Sequence, residues 1–142
     1  MGLVTNAAGG YLFQAYEVQK AGLKAPDDFA SYQVAKKQDD TVLAVKAGLM
    51  DAGFIRTGIL EEMIAEGKIT AADVVIVNRK EGFSQILSTD LYPEWYLIAV
   101  TPAGKSAAAK VKAAALALKA DSAAAKAANI TGFIEPVDHT GT

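Results

Sequence analysis

The sequence predicts an α/β fold, and three segments carry that prediction. Leu3 and Val4 suit the end of a strand, and the next segment, NAAGGYLFQAYEVQKAGL, changes to the apolar spacing of a helix. The same change recurs at MDAGFIRTGILEEM, residues 50–63, where an apolar run is followed by a turn and a helix. Residues 73–77, DVVIV, are apolar on both faces, as expected of a strand covered by helices on both sides. Together these segments predict a partly parallel sheet flanked by helices.

Local signals mark where other elements begin and end. The first helix is expected to end near Gly22, because glycine readily adopts the left-handed conformation that follows a helix. Residues 31–37, SYQVAKK, form a weak strand candidate, and Asp39 or Asp40 is expected to cap a second helix. For the third predicted helix, Thr57 is the expected N-cap.

The second half of the chain adds strand candidates and then changes character. The candidates are FSQILST, residues 83–89, and EWYLIAVT, residues 94–101. Residues 103–128 hold many alanines and five lysines, a composition typical of helices. Asp121 and Ser122 mark a break between one helix and a second, shorter one.

Composition excludes several classes of function. The 142 residues carry 14 Lys and Arg against 16 Asp and Glu, a net charge of -2, so no basic field recruits nucleic acid. The chain has no cysteine, which excludes disulfides and thiolate metal sites. No apolar run is long enough to span a membrane, so we expect no membrane contact within this segment.

Two strand-to-helix turns suggest a site for an anion. At the carboxyl ends of parallel strands, helix N-termini present free backbone N–H groups and partial positive charge. Arg56 adds a fork of donors suited to oxyanions, and Gly9 and Gly10 allow a ligand to approach the backbone closely. From the residues alone an alternative stays open: Arg56 pairs with a nearby acid such as Asp51 or Glu61, and the glycines only ease helix packing.

Motifs for catalysis or for a cofactor are not found in the sequence. The single histidine, His139, lies in a tail rich in turn formers and has no partner nearby in sequence. No metal-ligand cluster, dinucleotide fingerprint or P-loop occurs, and the serines lack the context of a nucleophile. We therefore expect a non-enzymatic chain with no catalytic residue, no cofactor and no metal site.

Four segments together resemble one known family. They are NAAGGYLFQAYEVQKAGL, AVKAGLMDAGFIRTGILEEMIAEGKI, LSTDLYPEW and GFIEPVD, in an order and spacing that agree over nearly the whole chain. They resemble the phosphate/phosphonate-type periplasmic binding proteins, most closely the version used as the extracytoplasmic sensor of bacterial histidine kinases. The resemblance implies one Rossmann-like lobe of a type II periplasmic-binding-protein fold, with a mixed, mostly parallel sheet flanked by helices. Residues 1–102 would form the second lobe, and residues 103–142 would return to a missing first lobe.

The resemblance also implies a ligand site in a cleft between the lobes. The implied ligand-binding residues are Thr5, Asn6, Gly9, Gly10, Tyr11, Arg56, Thr57 and Tyr92. Relatives often carry Ser or Thr just before the glycine pair, whereas this chain has Ala7 and Ala8. Backbone N–H groups and Arg56 are then left to recognise the ligand, which suits phosphate, a sulfur oxyanion or a carboxylate about equally. The missing hydroxyl donors count against a phosphonate, which stays the fourth open ligand.

Two expectations concern large apolar residues. Trp95 is expected to be a core residue that locks the crossover between the two lobes, in preference to forming part of the cleft wall, because tryptophan is highly buried on average. Phe133, Ile134, Val111 and Leu116 would face the missing first lobe, so the isolated chain is expected to form a homodimer through them.

The predicted function is ligand sensing outside the cytoplasm. We expect the periplasmic or extracytoplasmic solute-binding domain of a two-component sensor histidine kinase, whose cleft closes on a small anion. The alternative is the solute-binding subunit of a phosphate/phosphonate-type ABC importer, and a third hypothesis is a small cytoplasmic α/β enzyme. A transmembrane helix and a kinase core after Thr142 would favour the sensor.

Overall fold

A computed structural model describes residues 2–3, 8–92 and 95–137 of the chain. Contacts divide the chain into two compact units, residues 1–94 and 95–142. The first unit contains β1 (Gly2–Leu3), a 3-10 turn (Ala8–Gly10), α1 (Leu12–Lys20), β2 (Gln33–Val34), α2 (Gln38–Lys46) and α3 (Ile59–Ala65). The second unit contains α4 (Pro102–Leu116) and α5 (Ala123–Ala128).

The helices of the first unit end in a common way, with a glycine in the left-handed conformation. Gly22, Gly48 and Gly67 follow α1, α2 and α3 with φ angles of 89°, 70° and 72°. After α1, the N–H of Leu23 donates to the carbonyl of Val18 at 3.1 Å, which satisfies a carbonyl of the last helical turn. The prediction that α1 ends near Gly22 is confirmed.

The core of the first unit lies where α2 and α3 meet. Its buried cluster consists of Val42, Ile59, Leu60, Met63 and Ile69. Met63 is only 1% exposed, and the partly buried Val74 and Ile76 pack against the same cluster. Since Ile59 and Met63 are four residues apart, they share one face of α3. The apolar residues of α3 therefore lie on one side of this short helix, and that side is buried.

The observed sheet is smaller than the predicted one. β1 and β2 form a parallel pair in which Leu3 lies opposite Val34. Residues 73–77 are not assigned to a strand, and Val75 and Val77 are 89% and 74% exposed. The prediction that this segment is covered on both faces is therefore wrong, because only its alternate residues pack against the core. The described residues contain no third strand, so the larger mixed sheet stays a prediction.

The later strand candidates also differ from the prediction. Within residues 83–89, Leu87 forms an isolated antiparallel bridge with Lys80. Residues 95–101 contain no strand. A strand requires a hydrogen-bonded neighbour, and apolar composition alone does not supply one. Trp95 is 82% exposed, so it does not pack into a core of this chain, and its predicted role at the crossover between the lobes stays a prediction.

Two predicted helix caps are displaced. Lys37 is the N-cap of α2, so Asp39 and Asp40 lie in the first helical turn and not before it. Gly58, with φ 93°, is the N-cap of α3 in place of Thr57. Neither cap makes a side-chain hydrogen bond. Acidic side chains in the first turn instead stabilise both helices through the positive end of the helix dipole.

The second unit is built from helices with side-chain caps. Thr101 accepts from the N–H of Gly104 at 3.0 Å at the start of α4, and Ser122 accepts from the N–H of Ala125 at 3.2 Å at the start of α5. The predicted break at Ser122 is confirmed. Among the described residues, no helix has the length and apolar character needed to cross a membrane.

Candidate functional site

A small cavity lies in the first unit, where the start of α1, the turn before α3 and residues 87–92 meet. Its lining residues are Gly9, Phe13, Gln14, Arg56, Thr57, Leu87, Thr89, Asp90, Leu91 and Tyr92. The cavity volume is about 70 Å³. Since a water molecule occupies roughly 30 Å³ of liquid, the space suits a compact chemical group. We call this site the Arg56 cavity.

The structure brings half of the predicted ligand-binding residues to the Arg56 cavity. These residues are Gly9, Arg56, Thr57 and Tyr92. Gly10 is buried in the 3-10 turn and is not a lining residue. Tyr11 lines a different cavity of about 350 Å³, and its hydroxyl donates to the carbonyl of Ala25 at 3.1 Å. Thr5 and Asn6 lie outside the described residues.

One side chain of α1 ties together the two turns at the cavity. Gln14 donates from Nε2 to the carbonyl oxygens of Gly9 and Ile55, both at 2.8 Å. Gly9 belongs to the 3-10 turn before α1, and Ile55 directly precedes Arg56. The amide of Gln14 therefore links the glycine turn to the segment that carries the arginine.

Arg56 is held through its backbone. Its N–H donates to Oε1 of Gln38 at 2.6 Å, and its side chain is exposed. Neither Asp51 nor Glu61 is among the ion-pair partners of the described residues. One carboxylate oxygen of Glu61 instead accepts from the N–H of Ile86 at 2.7 Å. The alternative in which Arg56 pairs with one of these two acids is therefore wrong.

An aromatic pair forms one wall of the cavity. The rings of Phe13 and Tyr92 are stacked, with centroids 4.2 Å apart and planes at 9°. Burial raises the pKa of the Tyr92 phenol above its ordinary value, and the nearby Glu17 carboxylate raises it further. Glu17 pairs with Lys20 at 2.7 Å, and Lys20 lies 3.8 Å from Asp90. The wall thus has a neutral phenol close to the charged side chains of Glu17, Lys20 and Asp90.

Six lining residues were not among the predicted site residues, namely Phe13, Gln14, Leu87, Thr89, Asp90 and Leu91. Asp90 belongs to the segment LSTDLYPEW, so its position two residues before Tyr92 was a usable signal. Phe13 and Gln14 lie inside the helical pattern of α1, and the sequence does not indicate which face of that helix meets residues 56 and 92. Only the contacts between distant segments identify them.

The cavity combines groups that suit binding better than catalysis. A guanidinium, a hydroxyl and a glycine turn can hold a small oxyanion through charge-assisted hydrogen bonds. Its described lining residues include no histidine, cysteine or serine, and the hydroxyl of Thr89 donates to the backbone carbonyl of Asp90 at 2.8 Å and not to a base. Nor does the described part of the chain place three metal-ligating side chains together. These features are typical of proteins that bind small solutes.

Comparison with known proteins identifies the family within that class. A family model described as "ABC transporter, phosphonate, periplasmic substrate-binding protein" matches residues 3–140. Since this match spans nearly the whole chain, the chain belongs to the phosphonate-binding family of periplasmic substrate-binding proteins. Searches with this chain found no matching curated protein and no matching solved structure.

Family membership confirms several predictions in their general form. The family is one of binding proteins and not of enzymes, it takes a small anionic ligand, and it is extracytoplasmic. It does not support the hypothesis of a small cytoplasmic enzyme. The relationship to sensor histidine kinases is not addressed by the match.

Proposed function

We propose that the chain binds a small oxyanion in the Arg56 cavity. The observation that carries this proposal is that Gly9, Arg56 and Thr57, from two separate turns, line one small space. Because neither Asp51 nor Glu61 pairs with the guanidinium, those acids do not neutralise its charge. A planar guanidinium beside a hydroxyl provides the donors that phosphate, phosphonate, sulfur oxyanion and carboxylate ligands require.

The lining of the cavity also bears on which oxyanion binds. The space of about 70 Å³ on this side of the proposed cleft suits the oxyanion group of the ligand. The stacked rings of Phe13 and Tyr92 offer an apolar wall for a substituent of the ligand. Asp90 lines the cavity as well, but its side chain is 67% exposed and lies 3.8 Å from the Lys20 ammonium, so its charge opposes a bound anion only weakly. Together with the family name, the apolar wall favours a small phosphonate over a dicarboxylate.

The proposed setting is the second lobe of a two-lobed receptor. Residues 1–102 would carry one side of the ligand cleft, and residues 103–142 would contact the first lobe of the same domain. Ligand binding would then draw the two lobes together and stabilise the closed state. A sensor histidine kinase as the parent protein rests on the resemblance of the four quoted segments to the sensor version of this domain.

The family description favours a second candidate, the solute-binding subunit of an ABC importer. Both candidates require the same site chemistry, so the ligand does not discriminate between them. The full reading frame does. A kinase core encoded after residue 142 would support the sensor, and a frame without one, beside genes for a membrane permease, would support the importer.

Substitution of Arg56 tests the site itself. Arg56→Ala should weaken binding of methylphosphonate or phosphate about ten- to a hundredfold, because one charge-assisted contact is lost. Arg56→Lys should restore only part of the affinity, since an ammonium lacks the planar fork. Titration calorimetry on the full chain measures both effects, and thermal melts show whether the fold is intact.

Arg79 provides the matched control. It is exposed, it pairs with Glu81 at 3.2 Å, and it does not line the Arg56 cavity. Arg79→Ala should therefore leave affinity unchanged. Equal affinities for Arg56→Ala and the unmodified chain, for every anion in a panel of phosphate, phosphonates, sulfate and carboxylates, would refute the proposed site.

A further inference from the structure

The side-chain amide of Gln14 is fixed at the wall of the Arg56 cavity. Its Nε2 donates to two backbone carbonyls, of Gly9 and Ile55, each at 2.8 Å. Rotation of the amide by half a turn would place its oxygen against those two carbonyl oxygens. The orientation of the amide is thus determined by its two acceptors.

The same amide leaves one polar atom without a partner. Oε1 of Gln14 is buried and has no hydrogen-bond partner among the described residues. A buried acceptor without a partner is unfavourable for folding, and native proteins contain few of them. The stability gained from the two hydrogen bonds of Nε2 is therefore offset in part by the cost of burying the unpaired Oε1.

The two carbonyls that Gln14 binds are next to predicted anion-binding positions. One belongs to Gly9 itself, and the other belongs to Ile55, directly before Arg56. A carbonyl oxygen carries partial negative charge and repels an anion that it faces. By donating to both oxygens, the Gln14 amide reduces that repulsion and fixes the spacing between the two turns.

We propose that Gln14 is a positioning residue for anion binding, an inference that rests on the proposed function. It holds the glycine turn and the Arg56 segment at the spacing that the ligand requires, and it keeps two carbonyl dipoles away from the ligand. The residue does not need to contact the ligand for this role. The chemistry of the ligand is that of the proposed function, a small oxyanion such as methylphosphonate or phosphate.

Two variants of Gln14 separate positioning from stability. Gln14→Met keeps the length and approximate volume of the side chain and removes the donors, so affinity for methylphosphonate should fall about tenfold. Gln14→Glu also removes the donors and adds a negative charge, so affinity should fall further. The difference between these two variants should shrink as salt is added, because it is electrostatic.

Gln19 provides the matched control on the same helix. Its side chain is exposed, and it lines the larger cavity at Tyr11 and not the Arg56 cavity. Gln19→Met and Gln19→Glu should therefore leave the affinity for methylphosphonate near that of the unmodified chain. The measurement is titration calorimetry at a temperature well below the melting transition of every variant.

The outcomes distinguish this inference from the proposed function. If the unmodified chain binds and both Gln14 variants bind equally well, Gln14 is not a positioning residue and the proposed site stands. Lower melting temperatures with unchanged affinities would likewise reduce Gln14 to a structural role. If the unmodified chain binds no anion of the panel, the proposed function and this inference are both overturned.

Discussion

Among the described residues, the first compact unit has a cluster of buried apolar side chains, and the second has almost none. In the first unit, Val42, Leu60 and Met63 are buried together where α2 and α3 meet. In the second unit, α4 has no buried residue, and the described buried core there contains only Ala125. Burial of apolar surface is the main favourable term in folding. The first unit therefore has a tertiary core of its own, whereas the helices of the second depend largely on local interactions.

The second unit nevertheless carries large apolar side chains. Those with high exposure include Trp95, Leu97, Ile98, Val100, Phe133 and Ile134. Exposed apolar side chains in such number are typical of surfaces that contact another protein or domain. The first unit also exposes large apolar side chains, with Val75 at 89% and Leu49 at 76%, so the units differ in their buried clusters and not in the exposure of apolar side chains.

The largest effect expected of this difference is on the free energy of unfolding. Met63→Ala should destabilise the first unit by about 2–5 kcal/mol, because it leaves a cavity in the buried cluster. Leu97→Ala in the second unit, where Leu97 is 62% exposed, should change stability by about 0.5 kcal/mol or less. Denaturant unfolding followed by circular dichroism measures both. Equal destabilisation by the two substitutions would remove the distinction between the units.

A smaller effect is expected on self-association. If exposed apolar residues of the second unit form a contact surface, the isolated chain should dimerise at high concentration, and Ile134→Asp should weaken the dimer roughly tenfold. Ile134 is 80% exposed, so the substitution should not disturb folding. Leu23→Asp, at a residue 49% exposed in the first unit, is the control and should leave association unchanged. A chain that sediments as a monomer at every concentration would contradict the prediction.

Local features of the fold were predictable from the sequence. The end of α1 at Gly22 and the start of α5 at Ser122 follow from interactions within a few residues, namely a left-handed glycine and a side-chain cap. The cap of α3 was displaced by one residue because Gly58, at φ 93°, takes the position expected of Thr57. Errors of this size arise where two neighbouring residues can both end a turn.

Features that depend on distant residues were not predictable in the same way. Residues 73–77 have the composition of a central strand, but no described segment pairs with them. Trp95 is exposed although its residue type is usually buried. At the site, Gly9 and Arg56 were predictable because anions bind at strand-to-helix turns that carry a glycine or an arginine. Gln14 was not predictable, because the sequence does not show which face of α1 lies against residue 55.

The smallest effect concerns the cap of α4. Thr101 accepts from the N–H of Gly104 at 3.0 Å, and no residue of the helix is buried. Thr101→Ala should therefore cost about 1 kcal/mol of helix stability and reduce the helical circular dichroism signal.

Ser106, inside the same helix, provides the control: Ser106→Ala should preserve or slightly increase helicity, because alanine is the better helix former. Since the core around Met63 belongs to the other unit, neither change should shift its unfolding transition. A Thr101→Ala variant that lowers this transition as much as Met63→Ala would mean that the two units unfold together.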